Sequence, residues 1–235
     1  MIGWDFEPSV VIGCAALAIG YLAFTRGQAR NAWYFLGGVL VLLLDLVSPI
    51  DLLGDQYLFS AHIVQHFVLA MVVPPLLIAG MPPVRLLSVQ PALAWLFGVG
   101  TMVFWHIPAL FNAALANDAL HITQHLSFLV TGTIFWWTLR RLSPLTAISY
   151  LFSACLTCSV LGAAITFGRP GLYPAYLNPE DHLGLLPLIR DRWGLDPKTD
   201  QQLGGLLMWV PGCFVYLSAI LITVGRWYGM KEKTA

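Results

Sequence analysis

The sequence predicts an all-α integral membrane protein of seven transmembrane helices, with the N-terminus outside and the C-terminus cytoplasmic. Three observations predict it. The chain is 58% hydrophobic and 10% charged, with a mean hydropathy of +0.74, far from the composition of soluble globular domains. Its apolar runs recur at the length needed to cross a hydrocarbon core of about 30 Å. A formal net charge of zero conceals a segregation of basic and acidic residues that alternates from one inter-run segment to the next.

The runs, in order, are Ser9–Thr25, Ala32–Pro49, His62–Ala79, Ala92–Trp105, Ala119–Leu139, Leu145–Phe167 and Leu203–Tyr228. The fourth has the shortest apolar core, bounded by a polar start and by Trp105-His106-Ile107-Pro108. Prolines interrupt two of the runs (Pro74-Pro75 and Pro211), which membrane bundles tolerate where neighbours satisfy the freed carbonyls. Met1–Pro8 carries acids where a cleavable signal would be basic, so the first run is expected to persist as a helix.

With seven crossings, one side collects Arg26, Arg30, Arg85, Arg140, Arg141, Arg226, Lys231 and Lys233, with Glu232 as its acid. The other holds Arg169, Arg190, Arg192 and Lys198 among Asp5, Glu7, Asp51, Asp55, Asp118, Glu180, Asp181, Asp191, Asp196 and Asp200. Basic residues accumulate in cytoplasmic loops, which sets the expected orientation. Residues 1–235 read as a single transmembrane domain, and residues 166–202 as a long extracytoplasmic loop between the sixth and seventh helices, placed to cover the mouth of the bundle.

Five of the six histidines fall in one layer. His62-Ile-Val-Gln65-His66 opens the third run and His121-Ile-Thr-Gln124-His125 opens the fifth. Imidazoles four residues apart project from one face of a helix, the second about 6 Å deeper than the first. His106 closes the fourth run and reaches the same outer level. A lone histidine at a membrane interface is ordinarily an anchor or an interhelical hydrogen-bond donor. Two matched pairs and a third helix's histidine at one depth point instead to metal ligation by His62, His66, His106, His121 and His125.

Imidazole suits zinc, copper, iron and nickel alike, and five rings also have the means to hold two ions or to ligate haem iron axially. Asp45, inside the second run, is an acid whose burial near a bilayer centre costs about 2.5–3.5 kcal/mol; it, Asp51, Asp200, Gln65 and Gln124 stand as possible ligands or partners that fix the imidazoles. For Asp51, Asp55 and Asp118 a solvated loop acid is the simpler reading. Cys155, Cys158 and Cys213 fall near mid-membrane, where small-residue packing is the ordinary reading and a Cu(I) thiol relay the alternative. Met71, Met81 and Met208 take the same reading, and His182 is expected to be exposed. All four cysteines lie within apolar runs, so no secreted disulfide framework is expected. The chain has no Gly-rich phosphate loop, nucleophile elbow or basic footprint, so nucleic acid is not an expected partner, whereas membrane lipid is.

Ser48-Pro49-Ile50-Asp51, Ser60-Ala61-His62-Ile63-Val64-Gln65-His66, Pro74-Pro75 through Met81-Pro82, Trp105-His106-Ile107-Pro108, the second histidine pentapeptide, and Asp200-Gln201-Gln202 through Trp209-Val210-Pro211 occur in matching order. Together they resemble the CtaG-type assembly factors of caa3-type cytochrome c oxidase. The segment Asn178–Pro197 departs from that pattern. The resemblance implies a multi-pass protein of the bacterial cytoplasmic membrane, a metallochaperone or assembly factor rather than an enzyme, that helps supply copper to the oxidase. It implies oxidase subunits as clients and an extracytoplasmic copper donor as a partner. The rival reading is an intramembrane zinc- or iron-dependent enzyme, a metal hydrolase or redox protein; haem is a weaker expectation than copper.

Overall fold

The computed structural model describes residues 3–82 and 89–232; Arg85 and Lys233, two cations behind the expected orientation, lie outside the described residues. The described residues form α-helices, with a long connection between Thr166 and Pro197 that carries only short 3-10 and π turns, and with no β-strand among them. Helix α1 (Pro8–Thr25) ends where Arg26 and Gly27 turn left-handed and their amides bond back to Ala23 and Leu22, a closure that satisfies orphan carbonyls. Its flank packs chiefly against α2 (Ala32–Val47). There Tyr21 stacks on Phe35 at 3.9 Å and donates to the Gly80 carbonyl at 2.8 Å.

At Ser48-Pro49 the chain bends by 49° into the short helix α3 (Pro49–Gln56). Proline disfavours a helical conformation in the residue before it, and Ser48 Oγ accepts the Ile50 amide to start the new helix. The next long helical stretch is α4 (Phe59–Phe67), a π-helical turn (Val68–Val72) and α5 (Val73–Gly80). Pro74 lacks the N–H that would bond the Ala70 carbonyl, and the Trp136 indole donates to that oxygen instead, at 3.0 Å. The register slip at the π turn is the local response to the proline pair.

Helix α6 (Pro91–Trp105) turns 75° through His106-Ile107 into α7 (Pro108–Leu115). Asn117 caps α8 (Asp118–Leu139) and Ser143 caps α9 (Pro144–Thr166). Helix α10 (Pro197–Glu232) lies along α9. A Cβ on Gly205 would overlap the Thr166 hydroxyl and come within 2.7 Å of the Thr166 amide nitrogen, so only glycine permits this approach.

Among the described residues, four helices, Pro8–Thr25, Phe59–Gly80, Pro144–Thr166 and Pro197–Gly229, are long and apolar enough to cross a membrane. Counting each bent pair as one span gives up to six. Helix α8 has 22 residues, but Asp118, His121, Gln124 and His125 lower its apolarity. His121, Gln124 and His125 are also the residues that α8 contributes to the histidine layer. Segment 166–202 folds against one end of the bundle. Tyr173 donates to the His106 carbonyl at 2.9 Å, and Tyr176 donates to that of Gly54 at 2.6 Å. Tyr173 also stacks on Phe59 with ring centres 4.3 Å apart.

Candidate metal centre

The five imidazoles form one continuous array. Within α4 the rings of His62 and His66 are 4.4 Å apart, and within α8 those of His121 and His125 are 4.2 Å apart, as the four-residue spacing requires. Across the helices, His62 lies 5.2 Å from His121 and 5.6 Å from His125, and His66 lies 5.6 Å from His125. His106, at the α6–α7 bend, stands 5.4 Å from His66.

Two halves can be distinguished. Ligand atoms of His62, His121 and His125 all lie within 4.8 Å of one another, a spread that one ion at about 2.0–2.1 Å from each nitrogen can bridge after small rotamer adjustments. His66 and His106 face the interior. His106 Nδ1 lies 2.6 Å from the Met102 carbonyl; a carbonyl only accepts, so Nδ1 carries the proton and Nε2 presents its lone pair. Three helices therefore supply the array, while the tightest triad draws on two of them.

Burial makes this arrangement costly as plain packing. His62 is fully buried and His66 is 3% exposed, and neither ring nitrogen of either has a hydrogen-bond partner. The Nε2 atoms of His106, His121 and His125 are also buried without a hydrogen-bond partner. Buried polar atoms are almost always paired, and leaving one unmatched costs about 1–3 kcal/mol. A group of such atoms on facing imidazoles fits the donor set of a nitrogen-ligated metal.

The acids and amides around the cluster divide by role. Asp55 Oδ1 is buried 3.4 Å from His121 Nε2 and 3.7 Å from His62 Nδ1. The reading of Asp55 as a solvated loop acid is therefore corrected: the bend at Ser48-Pro49 lays α3 back along α4. Asp51, one helical turn earlier, accepts a 2.7 Å bond from Gln65 Nε2 and so is anchored as well. Its spacing from Asp55 was the sequence signal for a shared face. Gln124 is fully buried with both amide atoms unpartnered, as is Gln65 Oε1. Asp118 is exposed.

Asp45 is buried with Oδ2 unpartnered, yet the carboxylate that comes within 4 Å of the imidazoles of His62 and His121 is Asp55. Asp200 has a different use: its oxygens accept the Phe59 amide at 2.8 Å, the Ser60 amide at 3.1 Å and the Ser60 hydroxyl at 2.5 Å. Leu58 offers no side-chain cap to α4, so Asp200 caps that helix from α10 and holds the histidines in register. His182 pairs with Glu180 at 2.9 Å on the surface.

The array opens in two directions. His121, His125, Asp51 and Asp55 line a groove of about 490 Å³ between α1, α2 and α8. His66 and His106 line an inner cavity of about 50 Å³ with Met71, Met102, Met208 and Cys158. The three thiols named from the sequence separate accordingly. Cys158 Sγ is 3.1 Å from Met102 Sδ at this cavity, whereas Cys155 and Cys213 pair at 3.3 Å between α9 and α10. Met102 went unnoticed in the sequence, although it precedes His106 by one helical turn. Met81 caps α5 away from the cavity.

A family model described as the cytochrome c oxidase caa3 assembly factor (Caa3_CtaG) matches residues 17–229. The chain belongs to this family. An uncharacterised protein of Mycobacterium leprae is 24% identical over 99% of the chain, and one of Mycobacterium bovis is 23% identical over the same share. The chain spans 40% of the length of each of these relatives. No solved structure matches it.

Proposed function

We propose that the protein, as a member of the caa3 assembly factor family, is a copper-handling factor that serves cytochrome c oxidase from a bacterial cytoplasmic membrane. In this reading the chain crosses the bilayer seven times, with α8 as the crossing whose polar face is spent on the site. The N-terminus is outside and the C-terminus cytoplasmic, as the distribution of cations favours. The histidine array then lies near the outer surface, beneath the loop carrying Tyr173 and Tyr176.

One observation carries the reading. His62, His121 and His125 bring ligand atoms within 4.8 Å of one another among buried, unpartnered imidazole nitrogens. Copper is cargo here. His62, His121 and His125 would hold it, Asp55 would offset its charge, and His66 and His106 would offer alternative nitrogens for stepwise ligand exchange. The groove beside His121 and His125 provides access for a donor or for an oxidase subunit.

Metal analysis of purified protein, loaded with copper and washed, tests the proposal. The wild type is expected to retain copper, and His62→Ala with His121→Ala and His125→Ala to retain less. Equal copper in both would defeat the site. In cells, loss of the gene is expected to lower oxidase activity, with partial recovery on added copper. Unchanged oxidase in the deletion strain would defeat the assembly role.

A further inference from the structure

The inner cavity carries a second set of donors. Met71, Met102 and Met208 contribute thioethers, Cys158 a thiol, and His66 and His106 imidazoles, all to the wall of one space of about 50 Å³. These donors come from the π turn, α6, α10, α9, α4 and the α6–α7 bend, so no single helical repeat places them there. Cys158 Sγ and Met102 Sδ stand 3.1 Å apart, and His106 Nδ1 is fixed by the Met102 carbonyl. Both ring nitrogens of His66 and Nε2 of His106 are buried without hydrogen-bond partners. A single water needs about 10–15 Å³, so the space is ample for one ion.

We propose that this cavity is a distinct binding site for a soft monovalent cation, Cu(I), held by Cys158 and Met102 with His66 or His106. Three arguments support it. Thioethers are neutral and polarisable, and they select Cu(I) over harder divalent ions. Coordination converts the Cys158 thiol to a thiolate and releases one proton, so a monovalent ion and one thiolate form a neutral pair. A divalent ion in the same shell would keep a net positive charge in an apolar interior, where charge burial is costly. Thirdly, His66 lies next to both halves of the array, with its ring 4.4 Å from that of His62 and 5.4 Å from that of His106. An ion can thus pass between nitrogen-rich and sulfur-rich surroundings by exchanging ligands, without a change of oxidation state.

The site is independent of the outer triad and is tested independently. Purified detergent-solubilised protein is loaded anaerobically with Cu(I), and its copper content and X-ray absorption are measured. The wild type is expected to show copper–sulfur scattering. Cys158→Ala with Met102→Leu is expected to bind one fewer Cu(I) and to lose that scattering, while His121→Ala with His125→Ala keeps it. Absence of copper–sulfur scattering in the wild type would overturn the proposal, whatever the variants do. Retention of scattering and stoichiometry in the Cys158 and Met102 variant would overturn it as well. Failure of the outer site shows up separately, as copper content unaffected by the His121 and His125 changes.

Discussion

Asp55 Oδ1 lies 3.4 Å from Nε2 of His121, and the contact ties the short helix α3 to the imidazoles carried by α8. The same oxygen is 3.7 Å from His62 Nδ1, so one carboxylate addresses two of the three triad residues. A carboxylate oxygen buried beside neutral imidazoles favours a cation there. The Asp55→Asn variant keeps the shape and removes the charge. It is expected to bind copper about 10–100-fold more weakly, the usual effect of losing such a supporting group. Competitive titration against a chelator of known affinity measures this. Unchanged affinity would show Asp55 to be a bystander.

The histidine layer was legible because helical spacing and matched entry depth are both written locally, in His62/His66 and His121/His125. The contribution of Asp55 was not. It depends on a 49° bend at Ser48-Pro49, and a proline marks such a bend without fixing its direction. Asp200 illustrates the same gap. An acid at the start of α10 reads as that helix's own first-turn residue, and its bonds to Phe59 and Ser60 come from packing between elements far apart in the chain. The thiols divided for a similar reason: Cys155 and Cys158 share a helix, but three residues of rotation send one to Cys213 and the other to Met102.

Asp200 leads to a prediction about stability. Its carboxylate satisfies two backbone amides and one hydroxyl at the buried start of α4. The Asp200→Ala variant orphans them, at about 1–3 kcal/mol for each buried donor left unmatched. A clear fall in the unfolding midpoint is expected, with a smaller fall for Asp200→Asn, whose amide oxygen still accepts. Because α4 carries His62 and His66, bound copper should fall alongside. A wild-type midpoint in Asp200→Ala would refute the capping role.

Gly54 offers a steric test of the contact between α3 and α4. A Cβ there would meet Gln65 Oε1 at 2.7 Å and the His62 amide nitrogen at 2.9 Å. Both neighbours belong to the site, so Gly54→Ala must push α3 outward and take Asp51 and Asp55 with it. Overpacking of this kind costs about 1–3 kcal/mol. We expect weaker copper binding than in Gly37→Ala, a control at a position where the added Cβ has nothing within 4 Å beyond its chain neighbours and its own helix backbone. Equal binding by the two variants would mean that α3 does not support the centre.

Copper should also stabilise the fold, since the triad joins α4 to α8 and a ligand that binds only the folded state adds RT ln(1 + [L]/Kd), about 2.7 kcal/mol at a hundredfold excess over Kd. The unfolding midpoint of the wild type is expected to rise on loading and to return on chelation. His62→Ala with His121→Ala and His125→Ala should lose most of the rise. The sign of its pH dependence follows from ligation: an imidazole binds metal only as the neutral ring, so protons and copper compete for the same lone pairs. Acidification should therefore shrink the rise, and neutralisation should restore it. A rise of equal size in the triple variant would assign the stabilising ion to donors other than the triad, and one insensitive to acid would be inconsistent with imidazole ligation.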